Sequence, residues 1–305
     1  MGPLIFNIYV SDLQASLGQS SGLTCHQYAD DTTLYVHCKP TNLKDGVSLL
    51  NASIKKLDKW SREANLVLNT TKTKGMLIST RQLRVAHSFD KADVDLNVNS
   101  NHIDCIDKTK LLGTFIDQHL KWDEHVKHLS ASCYATLATL RKLKNILPFN
   151  IRKTVVQSLV LSKLFYNDCV LYPIPLGLVK RMEKVQKAAA SFVFGRYVSM
   201  KDVIKLNWLP VKQQLEWHTL KITHKALHDP NWPKYLCVKR FNHERTLRSS
   251  AGTLLELPLI SNTFQDQVAS SFNKLPINLR NCEDHKQFVK DTFKFLLSQA
   301  KKDFV

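Results

Sequence analysis

Two adjacent acids set in a strand-turn-strand pattern constrain the fold of this chain more than any other feature. An apolar segment, residues 23–28, leads into Asp30 and Asp31, and a β-branched run over residues 32–36 leads away from them. The pattern predicts a β-hairpin that carries two carboxylates at its tip. Two neighbouring carboxylates repel each other when both are ionised, and a bound cation offsets this repulsion. Carboxylate oxygens are the ligands that Mg²⁺ prefers. The tip is therefore a candidate site for a divalent metal.

The balance of charge indicates a polyanionic partner. Lys and Arg number 43 against 26 Asp and Glu, which gives a formal net charge of +17 and a pI near 9.6. A surplus of this size is typical of proteins that bind nucleic acid, and a merely solvated basic surface is the alternative. A hydrophobic content of 44% with 9% aromatic residues excludes wholesale disorder.

The cysteines favour a reducing environment. Seven of them are scattered without a C-x-x-C pair or a regular spacing, which predicts reduced intracellular thiols rather than a disulfide framework. His119, His125, His128 and Cys133 have the residue types of a zinc site. Histidines on the exposed face of a helix are the interpretation that we prefer for this group.

No membrane segment is expected. The amino terminus lacks the basic segment and long apolar run of a secretory signal. The most apolar stretch, residues 155–179, is interrupted by Lys163, Asn167, Asp168 and two prolines, so we expect it not to span a bilayer. The expected location is intracellular, nuclear or cytoplasmic.

Apolar spacing predicts mixed α and β structure over residues 1–121. We expect a buried helix over residues 2–13, a loop over 14–22 and an amphipathic helix over 43–60, capped by Thr41 or Asn42. A second hairpin is predicted over residues 93–107. Short strands are predicted at 66–69, 75–79 and 111–117.

From about Trp122 the apolar period changes from two to 3.6, so residues 122–305 are predicted to be mainly helical. A first apolar stripe runs to Leu143 and ends before Pro148, and Asn150 can cap the next helix. Further helices are predicted over residues 178–195, 210–227 and 284–300.

Four segments of residues 1–121 follow one another in a recognisable order. They are residues 1–13 (MGPLIFNIYVSDL), residues 28–31 (YADD), Trp60 with residues 65–73 (NLVLNTTKT), and residues 111–117 (LLGTFID). In this order they resemble motifs B, C, D and E of the reverse transcriptases of non-LTR (LINE-type) retrotransposons. Leu120, Trp122 and His125 resemble the entry to the thumb of these enzymes. Residues 206–211 and 272–280 are similar to helical segments that end such reading frames.

The resemblance implies an α+β fold in two parts. Residues 1–121 would be a partial polymerase palm, an antiparallel sheet with helices, and residues 122–305 a mainly helical thumb-like region and tail. The implied activity is that of an RNA-directed DNA polymerase, which joins nucleotides with the help of two Mg²⁺ ions. The implied partners are an RNA template, an RNA–DNA or DNA duplex, and deoxynucleoside triphosphates.

The resemblance also implies roles for single residues. Asp30 and Asp31 would be the catalytic carboxylates that bind metal, and Tyr28 would lie against the primer terminus. Lys72 would lie near the phosphates of the incoming nucleotide, where a cation stabilises developing charge, or would be a solvated lysine. The remaining positions are Gly2 and Pro3, at the floor beneath template and nucleotide, and Leu112 and Gly113, at the primer grip.

One part of the family pattern is missing. In the family a further catalytic aspartate, in motif A, precedes motif B, and this chain begins within motif B. We therefore expect an N-terminally truncated element in which Mg²⁺ binding is weak or absent, because the site lacks its bridging carboxylate, and which polymerises little or nothing alone. Asp12 is not expected to replace that aspartate, because the family carries an acid at this helix end without a metal role. The alternatives are a non-catalytic nucleic-acid-binding protein derived from a retroelement, a genomic relic without a cellular role, and a small-molecule metalloenzyme.

Overall fold

The computed structural model describes residues 2–18, 22–99, 101–233, 238–241, 253–260 and 263–304. The chain divides into two compact units, Met1–Lys121 and Trp122–Val305. The first combines helices with small antiparallel sheets, and the second consists almost entirely of helices, so the fold is α+β.

Four helices occur in the described part of the first unit: α1 (Gly2–Tyr9), α2 (Leu13–Leu17), α3 (Leu43–Glu63) and α4 (Arg81–His87). The prediction of one buried helix over residues 2–13 is wrong. The helix breaks after Tyr9, and α1 buries none of its residues. Its four largest exposed side chains are between 52% and 66% exposed: Leu4, Ile5, Ile8 and Tyr9. The expected loop over 14–22 is also partly wrong, because α2 extends to Leu17.

Helix α3 is the longest of the described helices in the first unit. Its amphipathic spacing was predicted, and Asn42 stands at the N-cap, although its side chain makes no capping hydrogen bond. The helix ends in a Schellman motif, in which Asn65 takes a left-handed conformation with φ 53°. The Leu66 N–H then donates to the Ser61 carbonyl at 2.7 Å. Ile54 and Trp60 are the buried apolar residues of this helix.

Three separate two-stranded antiparallel sheets take the place of the single sheet expected for a palm, as far as the structure describes the chain. They pair β1 (Leu23–Tyr28) with β2 (Asp31–Val36), β3 (Leu96–Val98) with β4 (Asn101–Ile103), and β5 (Lys108–Leu111) with β6 (Thr114–Asp117). The hairpin expected over residues 93–107 is confirmed as β3 and β4; Ser100 lies outside the described residues.

Two predictions of short strands are wrong. The segments 66–69 and 75–79 form no strand, and Gly75 makes only a single bridge to Cys105. The strand predicted over 111–117 is confirmed in part, since residues 114–117 form β6. Leu111 ends β5, and Leu112 and Gly113, with φ of 45° and 85°, reverse the chain between the two strands.

The second unit contains nine helices in its described part. They are α5 (Asp123–Arg141), α6 (Phe149–Val156), α7 (Ser162–Leu164), α8 (Leu176–Phe194), α9 (Met200–Lys205), α10 (Val211–His228), α11 (Phe264–Asn273), α12 (Ile277–Arg280) and α13 (His285–Phe304). The π-helical segment Gln157–Leu161 joins α6 to α7. The predicted helices of this region are confirmed, but α6 begins two residues earlier than expected, because its N-cap is Pro148 rather than Asn150.

Helix α8 lies at the centre of one core of the second unit, where it packs against α5, α6 and α10. Cys133 and Leu137 of α5 meet Met182 and Val185 of α8, and all four are fully buried. A second core joins α10, α11 and α13 through Leu220, Phe272 and Phe288. In the described part of the chain, no helix combines the length and the apolar content needed to cross a membrane.

Candidate functional site

The predicted acidic hairpin is confirmed, with both acids at its tip. Tyr28 pairs with Asp31 in the register of β1 and β2, which leaves only Ala29 and Asp30 in the turn. Ala29 takes a left-handed conformation with φ 52°, which is unusual for a residue with a side chain. Asp30 and Asp31 are both exposed to solvent.

Alternation along the two strands determines which side chains face the core. Cys25 and Leu34 pack against the apolar cluster that contains Trp60. The opposite face carries His26 and Tyr35, whose Nε2 and hydroxyl lie 3.1 Å apart. Because successive side chains point to opposite faces, Tyr28 and Asp31 share the His26 face. Tyr28 is 68% exposed, and Asp31 is its partner in the strand register.

A cavity of about 820 Å³ opens beside this hairpin within the first unit. Its lining is mostly apolar and comes from β2, α3 and the segments 76–89 and 111–120. Tyr28 and Asp31 line it from one hairpin turn, and Leu112 lines it from the turn between β5 and β6. The structure therefore brings three of the predicted site residues to one cavity. Asp30 and Gly113 are the chain neighbours of two of them.

The other predicted site residues, Lys72, Gly2 and Pro3, do not line this cavity. Lys72 lies in a turn in which its N–H donates to both the carbonyl and the side-chain oxygen of Asn69, at 3.2 and 3.1 Å. Its side chain is exposed. Gly2 and Pro3 begin α1, and a Cβ added at Gly2 would meet no atom within 4 Å.

The donor set for a metal is small. Among the residues that the structure describes, no group of three or more His, Cys, Asp or Glu side chains could hold a metal ion. The hairpin offers two carboxylates, whose oxygens have the right chemistry for Mg²⁺ but are fewer than a closed site needs. Asp12, the acid in the preceding segment, is otherwise engaged, because its Oδ1 accepts a hydrogen bond from the Trp60 indole at 3.2 Å.

The residues considered for zinc have separate roles. His119 Nδ1 lies 2.9 Å from the Ser79 carbonyl oxygen, and His128 lies 3.5 Å from Glu124. His125 is buried, which lowers the pKa of its imidazole, so the expectation of an exposed helix-face histidine is wrong for this residue. Burial raises the pKa of the Cys133 thiol to about 11, which leaves it protonated and a poor metal ligand at neutral pH.

Sequence reasoning missed the backbone strain at the site. Both Ala29 and Leu112 have positive φ, and both belong to hairpin turns beside the cavity. Strained residues of this kind cluster at functional sites. Gly113, next to Leu112, was the available signal for the second turn, whereas the residue type of Ala29 does not indicate a positive φ in the first.

Comparison with known proteins bears on this part of the chain. Residues 1–133 match the family model described as reverse transcriptase (RNA-dependent DNA polymerase). A search of curated proteins found no match. Residues 1–133, which include the acidic hairpin and the strained turn at Leu112, are therefore similar to the reverse transcriptase (RNA-dependent DNA polymerase) family.

Proposed function

We propose that the chain is part of a reverse transcriptase of the non-LTR (LINE-type) retrotransposon class. Residues 1–121 would be part of its palm, and residues 122–305 its thumb-like region and tail. One observation carries the proposal: Tyr28, Asp30 and Asp31 occupy a two-residue hairpin turn and its flanks, exposed beside a cavity, within the segment that matches the family. The order of the motif-like segments supports the LINE-type assignment.

Asp30 and Asp31 would hold Mg²⁺, because they are adjacent, exposed and bear oxygen ligands. When bound, the metal supplies positive charge to the phosphates during nucleotidyl transfer. Tyr28 would present its exposed ring to the primer terminus, and Leu112 with Gly113 would contact the primer from the second turn. Gly2 and Pro3 would lie beneath the template.

Lys72 would contribute a cation to the phosphates of the incoming nucleotide. Its exposed ammonium makes no hydrogen bond or ion pair to another described residue, which leaves it available to a phosphate. The partners in this proposal are an RNA template, an RNA–DNA or DNA duplex and deoxynucleoside triphosphates, and the place of action is nuclear or cytoplasmic.

We further propose that the 305-residue chain extends a primer little or not at all by itself. Two carboxylates at the hairpin tip are fewer than a two-metal site requires, and Asp12 is committed to Trp60. A primer-extension assay with Mg²⁺ on an RNA template tests this. We expect no product above that of Asp30→Asn. Extension that Asp30→Ala abolishes would contradict inactivity while supporting the roles of the acids.

A second experiment tests the metal roles without requiring turnover. Fe²⁺ replaces Mg²⁺ in the presence of template, primer and nucleotide, and peroxide then cleaves the backbone near bound iron. We expect cleavage close to Asp30 and Asp31 that Asp30→Asn and Asp31→Asn remove. Asp45→Asn, an exposed acid in the first turn of α3, is the matched control and should leave cleavage unchanged. Cleavage elsewhere, or none, would contradict the assignment.

The second candidate function is non-catalytic nucleic-acid binding, which the net charge of +17 favours. Gel shifts on an RNA–DNA hybrid at several salt concentrations distinguish the candidates. Binding that weakens with salt and is unaffected by Asp31→Ala, together with no extension, would favour this function. Neither binding nor extension at low salt would favour the genomic relic.

A further inference from the structure

The exposed face of α8 carries a line of lysines. Lys180, Lys184 and Lys187 are spaced four and three residues apart, so at 100° per residue they fall within an arc of about 60°. Ser191 continues the same face. The opposite face of the helix packs in the core of the second unit through Met182 and other buried residues. Lys180 and Lys184 are exposed and Lys187 is half-buried, so the three lysines form a row along the side of the helix that faces away from the core.

Two more cations are held at the end of this row. Gly195 ends α8 in a left-handed conformation with φ 77°. The Lys144 ammonium donates to the Gly195 carbonyl at 3.1 Å, and the Arg152 guanidinium donates to the Phe192 carbonyl at 3.2 Å. Both cations complement the negative end of the helix dipole. Lys144 is half-buried, and its single hydrogen bond leaves the ammonium with two further N–H donors.

Few acids neutralise this region. Residues 141–197 contain eleven Lys and Arg but only two acids, Asp168 and Glu183. Asp168 is buried and lies 2.8 Å from His218, so its charge is withdrawn from the surface. Burial raises the pKa of Glu183, and the charges of Lys187 and Lys180 lower it. Arg196 forms an ion pair with Asp202, whose carboxylate accepts a hydrogen bond from the guanidinium at 2.9 Å.

Aromatic side chains stand at the same end of α8. Tyr197, two residues beyond Gly195, is 89% exposed. Phe149 is 41% exposed, and its ring centroid lies 5.6 Å from that of Phe194. An exposed tyrosine next to cations that outnumber the neighbouring acids is the combination by which proteins hold single strands, since bases stack on the ring while cations contact phosphates.

We propose that the exposed face of α8, from Lys180 to Gly195, together with Lys144, binds the backbone of single-stranded nucleic acid, and that Tyr197 stacks on a base at its end. The row is about 22 Å long at 1.5 Å per residue, long enough for several nucleotides. A duplex supplies phosphates but keeps its base faces covered, and a membrane surface would need apolar side chains among the lysines. The surface, named here the α8 track, lies outside the segment that matches the reverse transcriptase family.

Fluorescence anisotropy on a labelled 12-nucleotide single strand tests the α8 track in the full chain. The test variant is Lys180→Gln/Lys184→Gln/Lys187→Gln. The control variant is Lys286→Gln/Lys290→Gln/Lys294→Gln on α13, which removes the same charge from a helix whose neighbourhood, residues 283–303, has five lysines and four acids. Circular dichroism confirms that both fold as the parent does.

The salt dependence separates specific contacts from general charge. Each single-strand phosphate contact contributes about 0.7 to the slope of log K against log[salt], so loss of three contacts should lower the slope by about 2. We expect the control variant to change it by less than about 0.5 on the same scale. Equal effects of the two variants would overturn the proposal.

Tyr197 is tested by a different readout. Tyr197→Ala should weaken single-strand binding about fivefold or more, as expected for loss of one stacked base, with the salt slope unchanged. Tyr197→Phe should bind as the parent does, and a blunt duplex should not distinguish the variants. RNA and DNA strands should bind similarly, because neither contact reads the 2′-hydroxyl. No effect of Tyr197→Ala would overturn the stacking role.

Lysine acylation measures the accessibility of each lysine in the protein without any substitution, so a change in folding cannot affect the result. A bound single strand should protect Lys180, Lys184 and Lys187, while Lys286 and Lys290 stay reactive. Equal reactivity of both sets with and without the strand would contradict the proposal. None of these measurements involves Asp30 or Asp31, so the outcome is independent of that of the metal-cleavage experiment.

Discussion

At the scale of single residues, the hairpin turns store strain. Ala29, with φ 52°, adopts a conformation that costs a residue with a Cβ about 1–2 kcal/mol. Ala29→Gly should therefore raise the free energy of unfolding of the first unit by about 1 kcal/mol, as measured in urea. Ala52→Gly, on the exposed face of α3, is the control and should lower it by about 1 kcal/mol. Destabilisation by both would show that Ala29 is not strained.

Asp12 permits a second residue-scale prediction. Its carboxylate oxygen accepts from the Trp60 indole, and an asparagine oxygen can accept in the same way. Asp12→Asn should thus leave the urea midpoint of the first unit nearly unchanged, and Asp12→Ala should cost about 1 kcal/mol. If Asp12→Asn instead abolished iron-directed cleavage at the hairpin, Asp12 would have a metal role.

At the scale of elements, α10 meets α13 through three histidines. His224 Nδ1 lies 3.2 Å from His285 Nδ1, and the rings of His224 and His228 stack with centroids 4.3 Å apart. Burial lowers the pKa of His224, and the neighbouring histidines lower it further, against the opposing effects of the Cys282 carbonyl and Asp284. Burial and then Lys225 and Lys221 lower the pKa of His285.

These lowered pKa values give a pH dependence with a definite sign. As the pH falls through the unfolded-state pKa of about 6.5, the unfolded chain binds more protons than the folded one. The free energy of unfolding therefore decreases as the pH is lowered. The urea midpoint of the second unit should be highest above pH 7 and should decrease toward pH 5. His224→Gln should reduce that decrease. A midpoint that rises on acidification would contradict the burial argument.

Elements also differ in how far the sequence predicts them. Helices such as α3 and α13 were predictable because each buries one face along its whole length. That burial places apolar residues at a regular spacing over many positions in the sequence. The acidic hairpin followed from a β-branched run beside turn residues. The strands expected at 66–69 and 75–79 did not form, since four or five residues carry too little periodicity to exclude a loop. The cavity beside Tyr28 and Leu112 was not predictable, because it depends on packing between segments distant in sequence.

At the scale of the whole molecule, the two units differ in core size. Among the described residues, nine buried apolar side chains belong to the first unit and thirty-six to the second. Stability rises with the apolar area removed from water, and a small core is marginal. Thermal or urea unfolding should therefore occur in two steps, with residues 2–121 unfolding first. Hydrogen exchange should accordingly be faster in α3 than in α8. A single transition, with equal protection of both helices, would contradict this expectation.

Helix α1 has a practical consequence for anyone who purifies this chain. Its two turns expose four apolar side chains to water: Leu4, Ile5, Ile8 and Tyr9. An exposed apolar patch of this kind promotes self-association as the protein concentration rises. Sedimentation and scattering of a concentrated sample would report clusters joined through these side chains, and dilute solutions would report single chains.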